Sequence, residues 1–161
     1  MQISIQNITE QDLAAVIALM CDFADYENLS HYIEVTEERL HAAMFGPQGF
    51  VEGLVAFDGA KPVAYALFYH NFSSFRGERG LYLEDIYISP DYRRQNLGKK
   101  ILSEIARLAR SRGLERIDFL VLDWNIPAVE FYLKHGAERN DDERHFKFAG
   151  DAFDKLSEPP L

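Results

Sequence analysis

Cysteine is nearly absent from this sequence, with Cys21 the only one among 161 residues. An intramolecular disulfide and a thiolate metal cluster each need more than one cysteine, so the sequence excludes both. Cys21 lies among apolar residues of an amphipathic segment, a setting that favours packing over a role as nucleophile. The five histidines are scattered without the spacing of a ligand set, and we predict no metal site.

Long hydrophobic runs are also missing, and the chain does not open with a basic segment followed by an apolar one. A helix needs roughly 18 apolar residues to cross a bilayer, so we expect a soluble protein without a signal peptide, located in the cytoplasm. Basic residues are outnumbered, 17 Lys and Arg against 26 Asp and Glu, which gives a net charge of -9. This balance disfavours nucleic acid and anionic membranes as partners and suits a cationic ligand.

Apolar residues make up 47% of the chain, enough for one core, so we predict a single domain over residues 1–161. Strand-like and helix-like periodicities alternate, which indicates an α/β fold. The predicted elements are a strand 2–6, helices capped by Thr9 and Thr36, strands 50–57 and 62–72 joined at Asp58-Gly59, a strand 81–88, a helix 98–112, a strand 116–122, a helix capped by Asn125, and a strand 145–149. A polar loop is predicted between residues 71 and 80.

Two acidic residues, Glu84 and Asp85, interrupt the predicted strand 81–88. Successive side chains of a strand point to opposite faces, so we expect only one of the two to face a given cleft. A solvated edge strand is the structural alternative. We favour a functional role, because a carboxylate without a partner is costly in an otherwise apolar strand.

A basic turn from Arg93 to Gly98 joins this strand to the next helix. Such a turn directs backbone N–H groups and the positive end of the helix dipole toward one point, which favours an anion. The turn is neither a Walker loop nor a Rossmann fingerprint, since it lacks the glycines that both require. An ordinary basic helix start with solvated charges is the alternative.

The turn resembles the pyrophosphate-binding pattern Arg/Gln-x-x-Gly-x-Gly/Ala of the GNAT superfamily of acetyltransferases. Asn96 replaces the first glycine, and asparagine is the residue that best tolerates positive φ after glycine. From about Asp12 to Leu156 the chain resembles the diamine acetyltransferase branch, whose members act on spermidine, spermine or thialysine. Segments 25–27, 82–87, 91–93, 122–125 and 131–132 carry this resemblance, and segments 86–87, 122–125 and 145–150 look more like the thialysine-acetylating members.

The resemblance implies an α/β GNAT acyl-CoA N-acyltransferase fold, a mixed and largely antiparallel sheet flanked by helices. It implies a homodimer that transfers an acetyl group directly from acetyl-CoA to the amine of a small substrate, with the cofactor held where strands 81–88 and 116–122 diverge. Glu84 would relay the amine proton and Tyr132 would protonate the leaving thiolate. The matching cofactor-binding positions are Ile86, Tyr87, Ile88, Arg93, Arg94, Gln95, Asn96, Leu97, Gly98, Lys99, Asn125, Pro127, Ala128 and Tyr132. The matching substrate-binding positions are Tyr26, Glu27, Glu84, Asp85 and Asp141.

Two segments depart from the branch. Residues 141–144 lack its Glu-Gly-Trp, which weakens the assignment of Asp141, and the loop 72–76 lacks the Asp-Pro-Trp of polyamine-specific members. The missing carboxylate and the added Arg76 predict that a lysine-like amine is preferred to a long polyamine. A CoA-binding sensor or interaction module without turnover is the alternative function, and a phosphate-ester or nucleotide-binding enzyme is a weaker third. The sequence leaves open which amine, which acyl chain and which pathway are involved.

Overall fold

Five strands form one sheet in the order β1-β2-β3-β4-β5 in the computed structural model, which describes residues 2–158. The strands are β1 (Ile3–Asn7), β2 (Glu52–Asp58), β3 (Lys61–Ser73), β4 (Glu78–Ile88) and β5 (Ile117–Asp118). Strands β1 to β4 are antiparallel to their neighbours, and β5 is parallel to β4. The predicted mixed, largely antiparallel sheet is therefore confirmed.

The helices are α1 (Leu13–Tyr26), α2 (Glu37–Phe45), α3 (Leu97–Ser111), α4 (Ile126–Lys134) and α5 (Asp151–Ser157). The predicted caps at Thr9 and Thr36 are present: the backbone N–H of Thr9 donates to Asp12 Oδ2 at 2.8 Å, and that of Arg39 donates to Thr36 Oγ1 at 3.2 Å. None of the helices in the described part of the chain has both the length and the apolar character needed to cross a membrane.

The chain falls into two compact units, the first ending at Leu120 and the second beginning at Val121. The prediction of one domain over residues 1–161 stays a prediction. In the first unit the sheet carries an apolar cluster on each face. Leu97, Ile101 and Ile105 of α3 pack on one face, which we call the α3 face. Residues of α1 and α2, among them Val16 and Leu40, pack on the other, which we call the α1 face. The strand pairing is irregular at two places, one between β2 and β3 and one between β3 and β4.

The irregularity between β3 and β4 is a β-bulge in β4. Leu67 of β3 pairs with Asp85, and the next residue, Phe68, pairs with Leu83, so Glu84 is an extra residue opposite none. Leu81 and Leu83 lie in the cluster on the α3 face, and after the bulge Ile86 and Ile88 pack against that same cluster. The extra residue thus shifts the alternation of the strand by one position.

Three predictions of secondary structure need correction. The strand predicted over 116–122 pairs only at Ile117 and Asp118, and the strand predicted over 145–149 is irregular. A strand forms only where its backbone pairs with another strand. Both segments are rich in residues that favour strands, but apart from Ile117 and Asp118 they are not paired. The loop predicted over 71–80 is shorter, because β3 continues to Ser73 and β4 begins at Glu78.

Candidate active site

The bulge of β4 turns Glu84 and Asp85 toward the same face of the sheet. The hydroxyl of Tyr65 donates to Asp85 Oδ2 at 3.1 Å, and the hydroxyl of Tyr69 donates to Glu84 Oε2 at 3.1 Å. Tyr65 belongs to the cluster on the α1 face, and Tyr69 lies four residues further along β3, hence on that face as well. The expectation that the two acids face opposite sides is therefore wrong, because regular alternation fails at a bulge.

The two carboxylates differ in environment. Glu84 is exposed, whereas Asp85 is partly buried. Burial, together with the negative charge of Glu84, raises the pKa of Asp85 to about 6, and the hydrogen bond from Tyr65 acts in the opposite direction. Burial and the nearby charge of Glu84 raise the pKa of Tyr69 to about 12, so this phenol stays protonated as a donor.

A third carboxylate comes from the end of α1. Glu27 caps this helix at its C-terminal end, and burial followed by the charge of Asp85 raises the pKa of Glu27. The charge of Asp85 thus disfavours ionisation of Glu27, as the charge of Glu84 does for Asp85. A cation placed among Glu27, Glu84 and Asp85 would relieve that repulsion.

Arg93 links this acidic cluster to the basic turn. Its Nε donates to the carbonyl of Ile88 at 2.8 Å, and its guanidinium carbon lies 4.4 Å from the ring centre of Tyr26 and 5.6 Å from that of Tyr87. The side chain therefore packs on aromatic rings of the α1 face. Its backbone still belongs to the turn.

The basic turn has the shape of an anion cradle. Arg94 and Asn96 both adopt the left-handed conformation, with φ of 60° and 62°, as predicted for Asn96. Left-handed residues next to right-handed ones group backbone N–H donors into a concavity, and α3 begins directly after at Leu97. The first N–H groups of this helix, at Leu97, Gly98 and Lys99, have no partner within the helix and its dipole favours an anion there. Arg94, Gln95 and Lys99 are exposed around the turn, so a pyrophosphate group fits these residues.

One edge of β4 carries backbone groups that could hold an extended ligand. Strand β5 pairs with β4 only at Leu81 and Tyr82. On this side of β4, the stretch from Leu83 to Ile88 has no neighbouring strand within residues 2–158. The backbone of Ile86, Tyr87 and Ile88 therefore faces the space in which a pantetheine arm was expected.

The second unit carries the remaining predicted residues. Asn125 precedes α4, its carbonyl accepts from the N–H groups of Ala128 and Val129, and Pro127 stands in the first turn as predicted. Burial raises the pKa of Tyr132 to about 12, so its hydroxyl is protonated at neutral pH. Asp141 forms an exposed ion pair with Arg139, whose Nε lies 2.6 Å from Asp141 Oδ1. That pairing already engages the carboxylate proposed to meet the substrate.

Two residues of the site were missed by sequence reasoning, namely Tyr65 and Tyr69. The spacing of the apolar residues on the α3 face could have indicated the bulge and therefore these two tyrosines. Leu81, Leu83, Ile86 and Ile88 are separated by two, three and two positions, and the step of three marks one extra residue. Once the bulge is inferred, the tyrosines of β3 follow as neighbours of the acids.

Comparison with known proteins assigns the family. Residues 15–137 match the acetyltransferase (GNAT) family. The chain belongs to this family. The thialysine N-epsilon-acetyltransferase of Bos taurus is 34% identical over 166 residues, covering 96% of this chain and 97% of that protein. The chain is therefore an enzyme, an N-acetyltransferase with a GNAT domain.

Solved structures agree on the GNAT fold. An integron cassette protein of V. cholerae superposes with a TM-score of 0.82 at 18% identity, covering 99% of each chain. A predicted acetyltransferase of Clostridium acetobutylicum, solved with acetyl-CoA, superposes with a TM-score of 0.75 at 15% identity, covering 91% of this chain and 97% of its own. At such identities the likeness concerns the fold alone.

Proposed function

We propose that this GNAT enzyme transfers the acetyl group of acetyl-CoA to the primary amine of a small cationic substrate of the thialysine type. The observation that carries the proposal is the acidic cluster of Glu27, Glu84 and Asp85 on the α1 face at the bulge of β4. It lies next to a turn whose backbone and charges suit a pyrophosphate. A cation site and an anion site are thus joined by one strand.

The acidic cluster would bind the substrate as an ammonium ion. Burial raises the pKa values of Asp85 and Glu27, and a neighbouring negative charge adds to this, that of Glu84 for Asp85 and that of Asp85 for Glu27. An incoming positive charge offsets both effects. The phenols of Tyr65 and Tyr69 orient two of the three carboxylates by hydrogen bonds. An anionic substrate would be repelled by these carboxylates, and a neutral one would leave their partly buried charges uncompensated.

The chemistry requires a proton acceptor and a proton donor. An alkyl ammonium has a pKa of about 10.4, and only the neutral amine that it forms on losing a proton has a lone pair on nitrogen. Glu84, exposed and in contact with water, would take that proton directly or through a water molecule. When bound, acetyl-CoA would supply a thioester whose carbonyl carbon forms the new C–N bond while its C–S bond breaks. By the resemblance, the hydroxyl of Tyr132 would give a proton to the departing sulfur.

The substrate range follows from the loop between β3 and β4. The Ser-Ser-Phe-Arg segment offers no carboxylate for a distant ammonium, which disfavours spermidine and spermine. The contribution of Arg76 is smaller than its charge suggests, because its Nε lies 3.6 Å from Glu78 Oε2 in an exposed ion pair. The preference for a lysine-like amine therefore rests mainly on the missing acid and on the similarity to thialysine acetyltransferases.

We also propose that the enzyme is a cytoplasmic homodimer, as its resemblance to the diamine acetyltransferase branch implies. Phe146 and Phe148 of the second unit are 86% and 66% exposed, an apolar surface that a second copy would cover. The net charge of -9 disfavours nucleic acid and anionic membrane as partners. Light scattering over a concentration series measures the oligomeric state.

Steady-state release of CoA thiol tests the main proposal. Acetyl-CoA is supplied with thialysine, lysine, short diamines, spermidine or an aminoglycoside in parallel. We expect the highest kcat/KM with thialysine or lysine. Stabilisation by acetyl-CoA without thiol release from any amine would instead favour the CoA-binding sensor, and a preference for spermidine would overturn the substrate class.

A further inference from the structure

The hydroxyl of Tyr65 is a buried polar group in an apolar layer. The residue is 0% exposed and belongs to the cluster on the α1 face. Phenylalanine would fill the same space without burying a hydroxyl, so the polar group calls for a partner at this position. Its partner is the carboxylate of Asp85, at 3.1 Å.

This contact depends on strand register. Tyr65 pairs with Tyr87, and Asp85 pairs with Leu67, so Tyr65 and Asp85 are diagonal neighbours on adjacent strands. An aromatic side chain spans that diagonal when both side chains lie on one face. The bulge at Glu84 places Asp85 on the face of Tyr65.

Charged and titratable groups surround Asp85 from each packed element. They are Tyr65 on β3, Glu84 and Tyr87 on β4, and Glu27 at the end of α1. Three further charged groups lie around Tyr87: Asp22 and Asp25 of α1, whose charges raise its pKa, and Arg93, which stacks on its ring. The acidic neighbours Glu84 and Glu27 repel a negative charge on Asp85. Tyr65 donates a hydrogen bond to that charge.

We propose that Tyr65 is a positioning residue of this acetyltransferase: its hydroxyl keeps the carboxylate of Asp85 ionised and oriented toward the substrate amine. The role rests on the proposed function, since it serves the binding of an ammonium group. Tyr65 itself does not touch the reacting atoms. It acts through Asp85.

The physical basis is a balance of opposing effects on one carboxyl group. Burial and Glu84 raise the pKa of Asp85, and the Tyr65 hydrogen bond lowers it, with a net pKa of about 6. Loss of the hydroxyl removes the opposing effect. The pKa of Asp85 then rises further, and the carboxyl is protonated over more of the range in which the enzyme must bind a cation.

Tyr65→Phe tests the proposal with the ring retained and the hydroxyl removed. The carboxyl-carbon NMR resonance of Asp85, assigned by its loss in Asp85→Asn, is titrated without substrate in the wild type and the variant. We expect the midpoint to move upward by roughly one pH unit, the effect of one hydrogen bond to a charged group. The acid limb of kcat/KM with thialysine should move with it, so that the loss is about tenfold below pH 6 and small above pH 8.

Tyr92→Phe is the matched control. Tyr92 also donates from a partly buried phenol to an aspartate, Asp58 Oδ2 at 3.2 Å, but its ring belongs to the cluster on the α3 face. This variant should leave the titration of Asp85 and the acid limb in place.

The two readouts separate the two hypotheses. An unmoved Asp85 midpoint, or an equal loss of kcat/KM at every pH, overturns the role of Tyr65 even in an enzyme that acetylates thialysine. A shifted midpoint supports that role independently of which amine is acetylated. If Tyr65→Phe does not fold, 3-fluorotyrosine labelling of the wild type replaces it. The fluorine signal of Tyr65 should titrate with Asp85 near pH 6 and lose that transition in Asp85→Asn; a signal that does not titrate in the wild type overturns the proposal.

Discussion

Glu84 and Asp85 are adjacent in the sequence and share one bulge, yet their surroundings differ. The outer carboxylate, Glu84, is exposed and accepts from the partly exposed phenol of Tyr69. The inner carboxylate, Asp85, is partly buried and accepts from the fully buried phenol of Tyr65. Two acids with different environments are suited to different tasks, one to exchange protons with water and one to hold a fixed charge.

The largest effect is expected for the outer acid. Glu84→Gln keeps the shape and removes the charge and the basicity, so kcat/KM for thialysine should fall about a hundredfold at pH 7. The loss should shrink toward pH 9, where solvent supplies more of the free amine. Steady-state kinetics at both pH values measure it, and stabilisation by acetyl-CoA in a thermal shift serves as the control for an intact cofactor site. Wild-type kinetics at pH 7 would assign the proton transfer elsewhere.

Asp85→Asn should act on binding more than on turnover. It removes the fixed negative charge that faces the ammonium group, and the KM for the amine should rise about tenfold, the value of one charged hydrogen bond, with a smaller change in kcat. The acid limb of kcat/KM near pH 6 should disappear. A fall in kcat as large as that of Glu84→Gln, at unchanged KM, would mean that the two acids have exchanged roles.

The same Asp85→Asn substitution should stabilise the protein above neutral pH. The pKa of Asp85 lies near 6, above its ordinary value of 3.8, so the protonated carboxyl contributes stability that is present below about pH 4 and is lost as the pH rises through 6. Partial exposure screens the cost of the ionised form to about 1 kcal/mol, or roughly 2–4 °C in Tm. Melting curves at pH 8 and pH 4.5 should show a clearly larger gain at the higher pH.

Glu84→Gln is the counterpart for that measurement, because the side chain is exposed. Its Tm should follow the wild type at pH 4.5 and rise at pH 8 by less than that of Asp85→Asn, because it removes only the repulsion between the two charges and not the cost of burying Asp85. A gain in Tm at pH 8 as large as that of Asp85→Asn would contradict the distinction between an inner and an outer acid.

The smallest effect is expected for Tyr69→Phe. The hydrogen bond to Glu84 is exposed, and water replaces it when the hydroxyl is removed, so kcat/KM should fall by about two- to threefold. The acid limb near pH 6 should stay in place, since Asp85 is untouched. A loss comparable with that of Glu84→Gln would show that the phenol itself takes part in the proton transfer.

Much of the first unit could be predicted from sequence because its signals are local. The turn Asp58-Gly59 identified the hairpin of β2 and β3, Thr9 and Thr36 identified helix starts, and Asn96 identified the left-handed turn residue. Caps and turns are determined by a few neighbouring side chains, so their chemistry is visible in the chain itself.

The bulge and the short strands could not be predicted in the same way. Whether residues 116–122 and 145–149 form strands depends on a partner that is distant in sequence, and in the described part of the chain only Ile117 and Asp118 of these segments belong to a strand. The sequence shows the two acids in this strand, but the faces to which they point depend on one unpaired residue between Leu83 and Asp85. Simple alternation therefore assigned Glu84 and Asp85 to opposite faces.

The bulge also bears on how such a site can arise. Because Glu84 has no partner on β3, deleting its single codon would bring Leu83 and Asp85 into consecutive register opposite Phe68 and Leu67. The rest of β4 would keep its faces, with Ile86 and Ile88 still in the apolar layer against α3. The outer acid is thus one extra residue in β4, and the faces of the strand on either side of it do not depend on its presence. A chain without that codon would keep the pairing of β3 with β4 and the inner carboxylate, and would lack the acid that we propose as the proton acceptor.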